Sequence, residues 1–212
     1  MSDDAGSDLL GFVGAKRYRT VLVDPPWRID IRKGNKNCPE HDRLYRYPTM
    51  SLDEIKDLPV ASICEPEAFL WLWVPNALLL AGIDVLRTWG FTYKQTLTWV
   101  KTDKRGTPSR KGIAFYFQPM TEFVLFGVRG HAPRRLMTSR IESNIVLAPR
   151  VSAGGHSRKP SKMRRLIEAA CPGPRVELFA RGSVPGWDGW GNQADDYVEG
   201  ESPDGMRSKR LF

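Results

Sequence analysis

The residues Asp24-Pro25-Pro26-Trp27 place a carboxylate, two prolines and an indole in a single turn. Proline fixes φ near about −65° and has no N–H to donate, so such a turn can present the Asp24 carboxylate and the Pro25 carbonyl as acceptors. Two adjacent acceptors match the two N–H groups of an exocyclic amine, and the face of Trp27 can hold a planar base by stacking. A strand-ending turn with a packed tryptophan is the plain structural alternative. Position favours the chemical reading. Val21-Leu22-Val23 is a buried strand that empties into Asp24, and ligands of open α/β sheets bind outside the carboxyl ends of such strands.

Residues 28–48 are polar and aperiodic, and Ser51 with Asp53 and Glu54 reads as the cap and first turn of a short helix. Residues 69–74 read as a second buried strand. Asn76 then caps a helix whose Leu79, Leu80, Ile83 and Leu86 recur near helical spacing before Gly90 stops it. Residues 92–101 and 121–128 read as strands joined by a basic loop containing Gly106, Pro108 and Gly112. A shorter strand is expected at 145–147. Pro160 suits the first position of a helix running to about residue 170, where Cys171-Pro172-Gly173-Pro174 ends it, and 176–180 is the last strand. This order predicts an α/β sheet, mostly parallel with an antiparallel edge hairpin. One domain is expected at 16–193, between a flexible N-terminal segment at 1–15 and a polar tail at 194–212.

Composition narrows the class. With 41% hydrophobic and 26% charged residues the chain can bury a core, which excludes disordered, collagen-like and coiled-coil classes. Lysine and arginine outnumber acids 32 to 24, so an anionic partner is expected, nucleic acid first. Cys38, Cys64 and Cys171 form no Cys-x-x-Cys pair, and Cys38 with His41 lacks a second ligand pair. A reducing compartment and no metal are therefore expected. The acidic N-terminus lacks the regions of a signal peptide, and the longest apolar stretch, 68–83, is broken by Pro75-Asn76. These features predict a soluble cytoplasmic protein without membrane association.

Further motifs make a family visible. Besides Asp24-Pro25-Pro26-Trp27, the chain carries His-Ser-Arg-Lys-Pro at 156–160, Glu-Leu-Phe-Ala-Arg at 177–181 and Trp-Gly-Asn-Gln at 190–193. Phe-Leu-Trp-Leu-Trp-Val at 69–74 and Trp-Val-Lys at 99–101 also match. In this order they resemble the MT-A (70 kDa subunit)-like family of adenine-N6 methyltransferases over residues 19–193, and short stand-alone bacterial or phage members in particular. The resemblance implies S-adenosylmethionine as cofactor on a Rossmann-like methyltransferase sheet of circularly permuted order, with the catalytic strand early and a cofactor strand late. It implies a catalytic turn of Asp24, Pro25, Pro26 and Trp27, with Asp24 also beside the cofactor. Lys159 would pair with the methionine carboxylate, near a helix start whose positive end favours an anion. Phe179 and Arg181 would lie along the cofactor, and Asn192 and Gln193 would bond its ribose hydroxyls.

The reaction so implied is direct displacement from a sulfonium, with no covalent enzyme intermediate. Residues 28–46 carry six basic side chains against three acids and 101–111 carry five against one, while 129–165 carry ten against one. Arg28, Arg32, Lys33, Lys36, Lys104, Arg105, Arg110 and Lys111 are the candidate phosphate contacts. Brevity favours DNA as the polymer and places RNA second. Two alternatives are methylation of another exocyclic amine, such as cytosine N4, and a silent or partner-dependent nucleic-acid-binding subunit. Related amine methyltransferases more often begin the motif with serine or asparagine, and silent subunits lose its acid or aromatic; this chain keeps both. A monomer or homodimer is expected, with a partner subunit as a further possibility.

Overall fold

In the computed structural model, β1 (Tyr18–Val23) runs parallel to both neighbours, β2 (Cys64–Val74) and β6 (Arg175–Leu178). Seven strands form one sheet in the order β5-β3-β4-β2-β1-β6-β7, completed by β3 (Thr92–Thr102), β4 (Thr121–Arg129), β5 (Ile145–Pro149) and β7 (Asp188–Trp190). Only β4 runs against its neighbours; the β3/β5 and β6/β7 pairs are parallel. The antiparallel hairpin read from the sequence is thus present, and β5 pairs along its outer side. The structure describes residues 2–28, 49–109, 116–131, 133–139, 143–150 and 158–191.

Side chains alternate across the sheet with the strand period of two. Val21, Val23, Leu70, Leu72 and Val74 enter one core with helices α1 (Ser2–Val13), α2 (Leu52–Lys56) and α3 (Leu79–Thr88). Leu22, Phe69, Trp71, Trp73, Leu97, Trp99 and Val124 enter the other, beneath α4 (Ser161–Ala170), which contributes Met163 and Ile167. Both faces of β1 and β2 are covered, which explains why these strands read as continuous apolar runs.

Local chemistry accounts for the helix ends. Ser51 and Glu54 form a capping box at α2, the Glu54 N–H donating to Ser51 Oγ at 3.2 Å and the Ser51 N–H to Glu54 Oε2 at 2.7 Å. Gly82 lets α3 approach β2, since a Cβ there would lie 2.5 Å from Val74 Cγ2.

Five elements depart from the sequence reading. In place of a flexible N-terminal segment, residues 2–13 form α1, because Leu9 and Val13, one turn apart, are both buried in the core. Asn76 does not cap α3; it opens a 3₁₀ turn, and its amide donates to Thr121 Oγ1 at 2.9 Å, tying that turn to the start of β4. Pro160 stands just before α4 as its N-cap residue instead of at its first position. β6 ends at Leu178, before Phe179 and Ala180, and β7 occupies a stretch read as loop. Asp-Gly-Trp has no strand signature of its own, and its extended form comes from pairing with β6.

Candidate active site

The carboxyl ends of β1, β2, β6 and β7 lie at one end of the sheet, together with the start of β4 and the end of β3. Alternation decides which side chains meet there. Asp24 continues β1 on the Leu22 face; Glu122 shares a face with Val124, and Lys101 with Trp99. All three therefore face the α4 side, and Lys159 arrives there just ahead of that helix.

These groups form a chain of alternating charge. Lys159 Nζ lies 3.0 Å from Asp24 Oδ1 and 3.3 Å from Glu122 Oε2, and Lys101 Nζ lies 2.7 Å from Glu122 Oε1. The aromatic wall belongs to β2 and β3: Lys159 sits 5.3 Å from the Trp73 ring centre, Lys101 sits 5.3 Å from that of Trp99, and the two indoles meet edge-on at 5.9 Å. The Lys159 side chain is only 18% exposed and the Asp24 side chain 15%, so water screens these charges poorly.

The surroundings displace three proton equilibria. Burial pushes Lys159 down, yet the Asp24 and Glu122 carboxylates outweigh it and hold the ammonium above the ordinary lysine value. Burial pushes Glu122 up, and the two lysines overcome that to hold it below the ordinary carboxylate value. Lys101 falls below the lysine value because its burial exceeds what Glu122 returns, with Arg150 and Lys159 adding repulsion. Arg181 likewise repels Lys159. Four cations and two carboxylates thus share this end of the sheet.

The turn at residues 24–27 is fixed by its own hydrogen bonds. Trp27 donates its indole N–H to the Trp73 carbonyl at 2.9 Å and its backbone N–H to the Pro25 carbonyl at 2.8 Å. The Pro26 carbonyl accepts from the Met50 N–H at 2.9 Å, and the Asp24 N–H donates to Leu178 O at 3.4 Å, joining the ends of β1 and β6. The Pro25 carbonyl spends one lone pair inside the turn and keeps a second. Trp27 is part-buried, its ring set by the bond to β2.

Beyond β6, Phe179 has φ 62°, a left-handed conformation that costs a bulky side chain about 1–3 kcal/mol unless its surroundings enforce it. Its ring meets Trp190 edge-on at 5.2 Å. Gly191 is required behind it, because a Cβ at this position, with φ 155°, would lie 2.8 Å from the Ala180 nitrogen.

The sequence-predicted residues Asp24, Pro25, Pro26, Trp27, Lys159, Phe179 and Arg181 therefore gather at one end of the sheet. Lys159, expected from the resemblance to meet a cofactor carboxylate, is shared here between two carboxylates of the chain. Asn192 and Gln193 lie outside the described residues. Arg28, Lys104 and Arg105 are exposed, while Arg32, Lys33, Lys36, Arg110 and Lys111 lie outside the described residues, as do Cys38 and His41. No motif in the sequence singles out Glu122 or assigns a role to Lys101. The signal for both was parity: each continues the inward alternation of its strand with a charge where an apolar residue belongs. Cys64 and Cys171 are buried, and burial pushes each thiol up to about 12, so neither is a reactive nucleophile.

A mostly parallel α/β sheet covered on both faces, with a Pro-Pro-aromatic turn and charged groups gathered at one end, is that of a Rossmann-like methyltransferase fold. The chain belongs to the MT-A70 family, whose model matches residues 18–193. It is 30% identical over 195 residues to the type II methyltransferase M.MunI of Mycoplasma sp, covering 85% of this chain and 79% of that protein. An N(6)-adenosine-methyltransferase MT-A70-like protein of Drosophila melanogaster is 30% identical over 84% of this chain. The N(6)-adenosine-methyltransferase catalytic subunit METTL3 of Homo sapiens is 28% identical over 84%. The chain spans only 27% of the Drosophila protein and 28% of the human one.

Methyltransferases of this family use S-adenosylmethionine as methyl donor. The donor set at Asp24 fits that molecule. The Asp24 and Glu122 carboxylates are groups that would hold its cationic parts, and Lys159 and Arg181 are groups that would hold its carboxylate. Among the described residues no helix is long and apolar enough to cross a membrane.

Proposed function

We propose that this chain transfers a methyl group to the N6 amine of adenine in nucleic acid, with DNA ahead of RNA. The observation that carries the reading is the Asp24 carboxylate, held at 3.0 Å by Lys159 at the mouth of the Pro-Pro turn. S-adenosylmethionine, when bound, supplies an electrophilic methyl group on a sulfonium that leaves as a neutral thioether.

The residues of the chain make the amine a competent nucleophile. The adenine amine is weak because its lone pair is delocalised into the ring. Asp24 and the free lone pair of Pro25 accept its two N–H bonds, which favours the more tetrahedral nitrogen of the transition state and aims its lone pair away from the turn. Asp24 then receives the proton that the methylated nitrogen gives up. Trp27, fixed by its bond to β2, offers a face to the ring. Lys159 and Glu122 hold the position of Asp24, and a misplacement of about 1 Å can cost about a hundredfold in rate.

DNA is our first choice because the chain resembles short stand-alone bacterial members of the family, and the similarity to the bacterial M.MunI over 85% of this chain and 79% of that protein supports that likeness. The exposed Lys104 and Arg105, on the loop leaving Lys101, can grip phosphates at the mouth of the site. The test is Asp24→Ala, assayed with labelled S-adenosylmethionine and adenine-containing oligonucleotides. Methyl transfer is expected to disappear while the fold and most of the cofactor affinity, which Lys159 and Arg181 would still supply, persist; retained turnover would refute the assignment.

A further inference from the structure

We propose that Asp8 is a positioning residue for the cofactor, acting through the indole of Trp190 on the ring of Phe179. The proposal rests on the reading of Phe179 as a neighbour of the cofactor.

With three residues, β7 is too short to hold itself at the sheet edge, and side chains fix it at both ends. At its start, Asp188 accepts from the Tyr18 hydroxyl at 2.6 Å and pairs with Lys16. At its finish, the Trp190 indole N–H donates to Asp8 Oδ2 at 2.7 Å. Trp190 is 8% exposed, so its N–H has little access to water, and a carboxylate makes the bond charge-assisted. The helix that carries Asp8 is itself anchored by Leu9, the adjacent residue, which is fully buried.

The bond matters because of what Trp190 touches. Its ring stands edge-on to Phe179 at 5.2 Å, and its carbonyl accepts from the Ala180 N–H at 2.9 Å. Phe179 occupies a left-handed conformation that a phenylalanine does not keep unaided. Gly191 closes directly on the Phe179 and Ala180 backbone. The indole thus supports Phe179 from one side and Asp8 sets the indole. Helix α1 is by this route a support of the cofactor site.

The experiment titrates S-adenosylhomocysteine calorimetrically into the full chain and into Asp8→Ala, Asp8→Asn and Phe179→Ala, with a thermal melt of each. Asp8→Ala is expected to weaken binding about tenfold, the size that loss of one charge-assisted hydrogen bond allows. The KM for S-adenosylmethionine rises with it while kcat at saturation stays within about twofold. Asp8→Asn, whose side-chain carbonyl still accepts from the indole, restores most of the affinity. If Phe179→Ala weakens binding but Asp8→Ala changes only the melting temperature, the bond is structural and the proposal falls. If Asn fails as badly as Ala, the carboxylate acts by charge and the proposal also falls. If neither Phe179→Ala nor Asp8→Ala affects binding, the reading of Phe179 is itself wrong and the proposal falls with it.

Discussion

Lys159 touches both carboxylates of the site, so the proton equilibria of this cluster set the limits within which the site keeps its shape. The Glu122 carboxylate is held below its ordinary value, so the stability it contributes is complete above about pH 4.5 and is lost as pH falls through the depressed value. Lys159 is held above the ordinary lysine value, so its contribution is complete at neutral pH and is lost only as pH rises through the raised value. Lys101, pushed down by burial, is the first of the two ammoniums to lose its proton on the alkaline side. Glu122→Gln leaves Lys101 and Lys159 facing each other without their shared carboxylate. It is expected to cost about 3 kcal/mol of stability at pH 7 and to flatten the loss of stability below about pH 4.5, measured by urea denaturation across pH. An acid limb unchanged from the parent would contradict the role given to Glu122. At this scale Asp24 was legible because strand, prolines and aromatic are contiguous. Glu122 was hidden because its partner Lys101 lies across a hairpin and its partner Lys159 lies 37 positions further along the chain.

The elements place these residues through close packing as much as through hydrogen bonds. α3 lies so near β2 that a Cβ on Gly82 would meet both methyls of Val74, at 2.5 Å and 2.9 Å, and Val74 ends the strand that carries Trp73. Gly82→Leu is expected to lower stability by about 3 kcal/mol through overpacking, read from the denaturation midpoint. A midpoint equal to the parent's would show that α3 can move away. The strands of the centre were legible because burial on both faces makes continuous apolar runs. The elements around β6 and β7 were not. β7 owes its extension to β6, α1 to a core completed by residues far away in the chain, and the turn at Phe179 to support from Trp190. The Asn76 assignment failed for a related reason: a cap position is local, but the partner that captured its amide, Thr121, is not.

Over the whole sequence the excess of 32 basic residues against 24 acidic ones is concentrated in the stretches 28–46, 101–111 and 129–165, and the described part of the loop after β3 exposes Lys104 and Arg105. If each neutralises one phosphate, replacing both with alanine lowers the slope of log affinity against log salt by about 2 on a duplex, measured by anisotropy at several salt concentrations. An unchanged slope would move the phosphate grip to another segment. The charge excess alone indicated only an anionic partner; the topology adds that a basic loop starts from Lys101, inside the charge cluster of the site. The central claim is transfer to the N6 amine of adenine, and it is tested most directly by incubating the protein with labelled S-adenosylmethionine and matched DNA and RNA oligonucleotides, then digesting and separating the nucleosides. The account predicts label in N6-methyldeoxyadenosine, with less or none in N6-methyladenosine. Label on cytosine, or on no nucleoside of either polymer, would contradict it.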